Sequence, residues 1–219
     1  MNIVTEKAAI TTAKKPKDKN INESDYSNPN ILAMNTPITK HHTDGQFSFF
    51  EAPIYNIKPN GESNLRAVYD AITGDRYKEK TEHLRSLTDP KAASLFKKQN
   101  FDCATFGGIF HTRKDEALIA PSGLLCVGID CPYSNDELFQ RLLHDPRIET
   151  QLLFRSALGR GVKWVIKTDP DAPFHDFALA VLRYARKTYK GWRNGHVLNV
   201  SCACFLPYDP EAFINPKLR

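Results

Sequence analysis

The sequence predicts an α+β fold, with helices packed against a mixed or antiparallel sheet. Helical apolar spacing dominates residues 65–98, strand-like runs follow, and strands then alternate with helices from residue 123 onward. This order of elements favours α+β over a purely parallel β-α-β arrangement. The chain has 219 residues, a length that suits one domain, optionally with an appendage.

The predicted domain spans residues 46–219. Residues 1–45 are polar, rich in Lys, Asn and Thr, and show no apolar period. Such a segment buries too little apolar surface to offset its ordering entropy. We therefore expect a disordered or loosely docked tail ahead of the domain.

The first part of the domain is predicted to contain one strand and three helices. An aromatic strand covers 47–50, and a helix begins at the cap Ser63-Asn64 and ends at Gly74. A second helix is expected over 76–87. The third begins after Asp89-Pro90, with Ala92, Ala93, Leu95 and Phe96 facing inward and Lys97 and Lys98 facing outward.

Strands dominate the rest of the domain. The continuous apolar run 123–129 is typical of a central buried strand, and the run 101–110 is interrupted by Gly107-Gly108. A capping box at Ser134 and a first-turn proline at Pro173 each predict a helix. The remaining strands are expected at residues 118–120, 150–155, 161–167 and 200–206.

Asp130 is the first candidate functional residue. It ends the run 123–129, and side-chain alternation places it on the same face as Gly128, Cys126 and Leu124. A carboxylate at the end of a strand is a favourable metal ligand, because sites gather at strand ends. A turn or helix-cap aspartate fits the same pattern equally well.

A second candidate site is the segment before the strand 161–167. Gly159 and Gly161 bracket Arg160, a pattern in which backbone N–H groups can approach a phosphate. Lys163 and Lys167 share one face of the following strand and could line a groove for a polyanion. Taken alone, a hairpin turn entering a solvated strand explains the segment better.

A third candidate is the end of the last predicted helix, where basic and aromatic residues interleave as on nucleic-acid-binding surfaces. A purely structural role is favoured over nucleic-acid binding, because positive charges are favourable at a helix C-terminus and Tyr189 continues the apolar stripe. The candidate nucleic-acid-binding residues here are Arg183, Arg186, Lys187, Lys190 and Arg193.

Charge and cysteine content narrow the class of protein. The net charge of +5 is compatible with a nucleic-acid partner without requiring one. The five cysteines are odd in number and lack zinc-site spacing, which indicates reduced thiols. No secretory signal or membrane-spanning run is found, so we expect a cytoplasmic protein without a membrane partner.

Several short patterns, taken in order, resemble one known family. They include Phe47–Phe50, Thr105–Phe110, Ser122–Leu125, Gly159–Lys163 and Cys204–Pro210. This order is similar to the bacterial VirE-associated N-terminal domain, a primase-polymerase-like family of the archaeo-eukaryotic primase superfamily. The resemblance covers residues 46–216. It implies an RRM-like core, a small N-terminal helical and strand module, and nucleotidyl transfer with Mg or Mn.

The sequence departs from that family at its chemical positions. The family carries Asp-x-Asp on the central strand, whereas here Gly128 stands at the first acid and only Asp130 remains. The resemblance implies that Ser156, Gly159 and Gly161 bind phosphate, but Leu158 replaces a hydroxyl residue. Lys163 stands where the superfamily often has histidine, and Cys202 where arginine is expected. Asp169 and Asp209 are the remaining candidates for a third acid.

These departures favour a catalytically impaired domain that binds nucleic acid or nucleotide. The alternatives are an active metal-dependent primase-polymerase that uses Asp130 as catalytic and metal-binding residue, or a protein-interaction module without a nucleic-acid role. The expected partners are single-stranded nucleic acid or nucleotide, together with a protein partner or a C-terminal domain beyond this chain.

Overall fold

The computed structural model describes residues 45–130, 135–169, 171–189 and 199–218. The predicted tail therefore lies, apart from Gly45, outside the described residues. The α+β class is confirmed: helices pack against antiparallel sheets. The helices are α1 (Leu65–Thr73), α2 (Lys78–Ser86), α3 (Pro90–Asn100), α4 (Asn135–Leu143) and α5 (Phe174–Thr188). The strands are β1 (Phe47–Phe50), β2 (Gly61–Ser63), β3 (Cys103–Thr105), β4 (Gly108–Phe110), β5 (Leu118–Pro121), β6 (Leu124–Asp130), β7 (Thr150–Arg155), β8 (Gly161–Lys167), β9 (Cys204–Phe205) and β10 (Phe213–Ile214).

Local sequence signals set the helix starts. The side chain of Asn64 accepts a hydrogen bond from the Ala67 N–H at 2.9 Å and begins α1. Asp89 accepts from the N–H groups of Lys91 and Ala92 and begins α3. These bonds satisfy N–H groups that have no partner within the helix, which is why a short polar residue precedes each of these helices.

The first sheet has the strand order β2-β1-β3-β9, and the second has the order β10-β7-β8-β6. In the second sheet β8 lies between β6 and β7, which gives the split β-α-β arrangement through α4. Within the described ranges β6 pairs with β8 alone. The prediction that β6 is a central strand is therefore wrong: it is an edge strand, fully buried on one face and only partly buried on the other.

The second sheet packs on both faces. On one face, strand residues such as Leu125, Val127 and Trp164 pack against α4 and α5. On the other face, Leu124, Cys126 and Val165 belong to a core shared with the first sheet and α1. This alternation follows the two-residue period of the strands.

Two predicted details of the fold, one strand and the facing of α3, differ from the structure. The strand expected over 200–206 is reduced to β9, and β10 joins β7 although its sequence gave no prediction of a strand. The predicted facing of α3 is wrong in part, because Leu95 is 51% exposed whereas Lys97 is half-buried. The Lys97 ammonium lies 5.2 Å from the centroid of the Phe205 ring.

Candidate anion-binding site

Asp130 lies at the end of β6, directly opposite Gly161 at the start of β8. Its side chain is exposed. A methyl group on residue 161 would lie 2.8 Å from Asp130 Oδ1 and 2.3 Å from the carbonyl oxygen of Ile129. Glycine is therefore needed here, because the neighbouring strand passes too close for any side chain.

Lys163 occupies the space beside Gly128, the residue with which it pairs in the β6–β8 ladder. A Cβ on Gly128 would lie 2.5 Å from Lys163 Nζ. An ammonium group thus stands where the side chain of a first acid would have to lie. Within the described part of the chain, no group of three or more His, Cys, Asp or Glu could hold a metal ion.

Lys97 reaches the same place from α3. Burial lowers the pKa of Lys97, and the positive charge of Lys163 lowers it further, while Asp130 opposes both effects. These three side chains are therefore within electrostatic range of one another. Lys97 was not predicted as a site residue, because the helical pattern alone placed it on the solvent side.

Three thiols border Lys163. The interaction between the neighbouring Cys126 and Cys204 thiols raises the pKa of Cys126 and lowers that of Cys204. Burial lowers the pKa of Lys163, whereas the neighbouring thiols of Cys204, Cys126 and Cys202 and the carboxylate of Asp130 raise it, so the net direction is upward. We name this group the Lys163 cluster; it comprises Lys97, Cys126, Asp130, Lys163, Cys202 and Cys204.

The predicted phosphate loop is a tight turn between β7 and β8. The Ser156 N–H donates to the Gly161 carbonyl at 2.7 Å, and the Gly159 N–H donates to the Ser156 carbonyl at 2.8 Å. Gly159 has a φ of +70°, the left-handed region that favours glycine. These two N–H groups are engaged within the turn, whereas Arg160 is exposed at its tip.

Arg85 of α2 holds this turn from behind. Its guanidinium donates to the carbonyls of Ala157 at 3.3 Å, Ser156 at 3.4 Å and Tyr208 at 3.5 Å. Burial lowers the pKa of Arg85, and Asp209 opposes that shift. The turn is thus attached to the N-terminal module, a contact that no local motif could have indicated.

Lys167 lies at the other end of β8, opposite Leu124. Four residue positions separate it from Lys163, which corresponds to about 13 Å along an extended strand. The structure therefore separates Lys167 from the Lys163 cluster, although the sequence placed both lysines on one face.

The basic residues of α5 form a separate surface. Arg183, Arg186 and Lys187 are exposed on the helix that covers the opposite face of the sheet from Lys163. The neighbouring Tyr184 and Tyr189 donate hydrogen bonds to Asp145, so these aromatic residues serve packing. Lys190 and Arg193 lie outside the described residues.

The two candidates for a third acid have structural roles. Asp209 is buried and accepts hydrogen bonds from the Arg155 N–H at 2.6 Å and the Arg155 guanidinium at 3.0 Å. Asp169 accepts from the Asp171 N–H at 2.9 Å, beyond the Lys167 end of β8. Neither aspartate therefore serves as a second acid beside Asp130.

Comparison with known proteins assigns the family. The family model for the BT4734-like, N-terminal domain matches residues 96–213, more than half of the chain. The chain belongs to this family. The finding corrects the predicted resemblance to the VirE-associated N-terminal domain, because the matching family is the BT4734-like one.

The other comparisons return nothing. No curated protein and no solved structure matches the chain. Among the described residues, no helix has the length and apolar character needed to cross a membrane.

Proposed function

We propose that this BT4734-like domain binds single-stranded nucleic acid through the Lys163 cluster and does not catalyse metal-dependent nucleotidyl transfer. The observation that supports this best is the Lys163 ammonium beside Gly128, in the space that a metal-binding carboxylate would need. A positive charge at that position attracts phosphate and repels Mg²⁺.

The lysine pair supports an anionic ligand. Lys163 stays protonated at neutral pH because neighbouring thiols and Asp130 raise its pKa. Lys97 is destabilised in its charged form by burial and by Lys163. A phosphate between the two ammonium groups would relieve this repulsion, so binding and protonation favour each other.

Asp130 alone is a weak basis for nucleotidyl transfer. Two-metal catalysis needs carboxylates that hold two cations about 4 Å apart. Asp130 is exposed, and its nearest strand partner on the same face is Gly128. We infer that Asp130 orients the lysines and limits their net charge.

A nucleic-acid strand fits better than a single nucleotide. The net charge of +5 attracts an extended polyanion over a long range. Arg160 is exposed on the turn that adjoins Asp130 and extends the positive surface beyond the two lysines. A strand several phosphates long would use this extension, whereas a mononucleotide would not.

The test is fluorescence anisotropy with labelled single-stranded DNA and RNA oligonucleotides over a salt series. Lys163→Met and Lys97→Met should each weaken the Kd about 5- to 10-fold and reduce the salt slope by about one. Lys167→Met is the matched control, since it removes a lysine from the same strand about 13 Å from Lys163. Its Kd should change less than about 2-fold, as expected for a residue away from the site.

Three results would decide against the proposal. Equal weakening by Lys167→Met would indicate diffuse attraction without a site. Tight binding of a mononucleotide that the oligonucleotide cannot displace would identify the smaller ligand. Template-dependent synthesis with Mg²⁺ or Mn²⁺ that Asp130→Ala abolishes would establish the active enzyme instead.

A further inference from the structure

A cavity of about 210 Å³ is lined by residues of the edge strand β2, of β1 and of helix α1. Phe49, Val68 and Leu206 supply its apolar surface, and the small side chains of Ala67 and Ala71 on α1 leave it open. Pockets for drug-sized ligands measure about 300–1,000 Å³. This cavity therefore has room for one apolar side chain and is too small for a nucleotide.

Arg76 is the positively charged residue at this cavity, and buried groups hold it in place. Its Nη2 donates a hydrogen bond at 2.9 Å to Asp102, whose buried carboxylate also accepts one from the Tyr77 hydroxyl. The guanidinium carbon lies 5.4 Å from the ring centroids of both Phe49 and Tyr77. Because 53% of the Arg76 side chain stays exposed, its N–H groups that do not bond Asp102 can bind a ligand.

Arg66 of α1 provides the contrast. Its Nε donates to Asp70 at 2.9 Å, and its side chain is as exposed as that of Arg76. Its partner Asp70 is exposed as well, however, and Arg66 does not line the cavity. Ion pairs between exposed side chains hold each other weakly. Arg76 thus has a fixed position that Arg66 lacks.

The groups at the cavity favour a carboxylate over a phosphate. A fixed, planar guanidinium binds a carboxylate through two parallel hydrogen bonds. The exposed carboxylate of Glu62 also lines the cavity, and its negative charge disfavours a doubly charged ligand. An apolar side chain next to a single carboxylate is the chemistry of the C-terminal residue of a peptide.

The edge of the first sheet favours a peptide over a free acid. Within the described residues, β2 pairs with β1 alone. A methyl group on Gly61 would meet no atom within 4 Å, so the space beside this strand is open. The backbone N–H and C=O groups of an edge strand can pair with an extended peptide.

We propose that the cavity binds the C-terminal residue of a partner protein. The apolar side chain of that residue enters the cavity, its carboxylate binds Arg76, and the preceding residues extend along β2. This interaction surface is separate from the Lys163 cluster, with which it shares no residue.

The test is fluorescence anisotropy of the full chain with a labelled pentapeptide that ends in leucine. The same peptide with a C-terminal amide should bind about 10-fold more weakly, the effect of one lost charge-assisted hydrogen bond. Arg76→Met should weaken the free-acid peptide about 10-fold and leave the amide unchanged. Arg66→Met is the matched control, and it should change the Kd less than about 2-fold.

A second variant tests the cavity without altering Arg76. Arg76→Met also removes a partner of the buried Asp102, so its thermal unfolding is measured alongside binding. Ala67→Trp enlarges an exposed residue of α1 and fills the cavity. It should weaken the free-acid peptide about 10-fold, as expected when a ligand side chain loses its apolar site.

Four results would each overturn the proposal. They are equal affinity for the acid and the amide, equal weakening by Arg66→Met, undiminished binding by Ala67→Trp, and no saturable binding below about 1 mM. Binding of N-acetylleucine as tight as that of the pentapeptide would assign the cavity to a small free acid and overturn the peptide as its ligand.

Discussion

The two faces of the β6–β8 ladder differ in how far along the strands their side chains are buried. On the face toward α4 and α5, Leu125, Val127 and Ile129 are buried along the whole of β6. On the other face burial is complete at Leu124, and it decreases through the half-buried Cys126 and Gly128 toward the exposed Asp130. One strand thus serves a closed core on one side and a partly open charged site on the other.

The difference shows why charges can lie inside this fold. The Lys163 ammonium is held at the margin of a core, where thiols and a carboxylate compensate its desolvation. Trp164, the next residue, is completely buried on the other face. Strand alternation alone separates a charged residue from the largest side chain of the core.

The largest expected effect is on the closed face. Trp164→Ala should lower the free energy of unfolding by about 3–5 kcal/mol, because it leaves a large cavity. It also removes the hydrogen bond from Trp164 Nε1 to Thr150 Oγ1 at 2.8 Å. Urea unfolding followed by circular dichroism measures the change.

Lys163→Met is the matched control from the open face. It keeps the long side-chain stem and removes a charge that is partly desolvated, so we expect a change below about 1 kcal/mol. Equal destabilisation by the two variants would break the distinction between the faces.

A second prediction concerns Gly128 itself. Gly128→Asp places two carboxylates at alternate positions on one strand face, but it also places the new one against Lys163 Nζ. The pair neutralises the lysine, and the Kd for single-stranded nucleic acid should weaken about 10-fold, the effect of about 1.4 kcal/mol. Isothermal titration with Mg²⁺ should show no gain in cation affinity.

The double variant sharpens this prediction. Gly128→Asp combined with Lys163→Met removes the neutralising ammonium and leaves both carboxylates to attract a cation. Mg²⁺ binding should appear there and be lost again when Asp130→Asn is added. Mg²⁺ binding by Gly128→Asp alone would contradict the role that we assign to Lys163.

The smallest effect is expected at the edge of the closed face. Burial raises the pKa of Asp145, but hydrogen bonds from Tyr189, the Arg147 N–H and Tyr184 outweigh it, so the net direction is downward. A carboxyl with a lowered pKa stabilises the fold above its ordinary pKa of about 3.9, and that contribution is lost as the pH falls.

The measurement is urea unfolding of the wild type and of Asp145→Asn between neutral and acidic pH. The difference should be largest at neutral pH, remain below about 1 kcal/mol because Asp145 is partly exposed, and shrink below pH 4. Tyr184→Phe should show the same trend with a smaller amplitude. A difference that grows toward acid would contradict this account.

Local sequence signals predicted the individual helices and strands of this fold better than they predicted which strands pair with one another. The cap at Asn64, the start of α3 next to Asp89-Pro90 and the strand character of the run that became β6 depend on residues close in sequence, and they are confirmed. The edge position of β6 could not be predicted, because a continuous apolar run reports burial of both faces and not the number of paired strands.

The candidate site was predictable only in part. The sequence predicted a strand that carries Gly128 and ends on a single acid, Asp130. The position of Lys163 beside Gly128 could not be predicted, because it depends on the β6–β8 register. The approach of Lys97 depends on how α3 packs, which its weak apolar stripe does not determine. Cys126 of β6 and Cys204 of β9 come from different sheets into one core, and no local signature predicts that they meet.

Residues 204–214 have a consequence for the order of events in folding. They supply β9 to one sheet and β10 to the other, with Asp209 fixed between them to Arg155 and to the Ile72 carbonyl. During synthesis, β3 and β7 therefore present unpaired edges until this late segment emerges from the ribosome. Such long-range closure slows folding and leaves the nascent chain dependent on protection from edge-to-edge association.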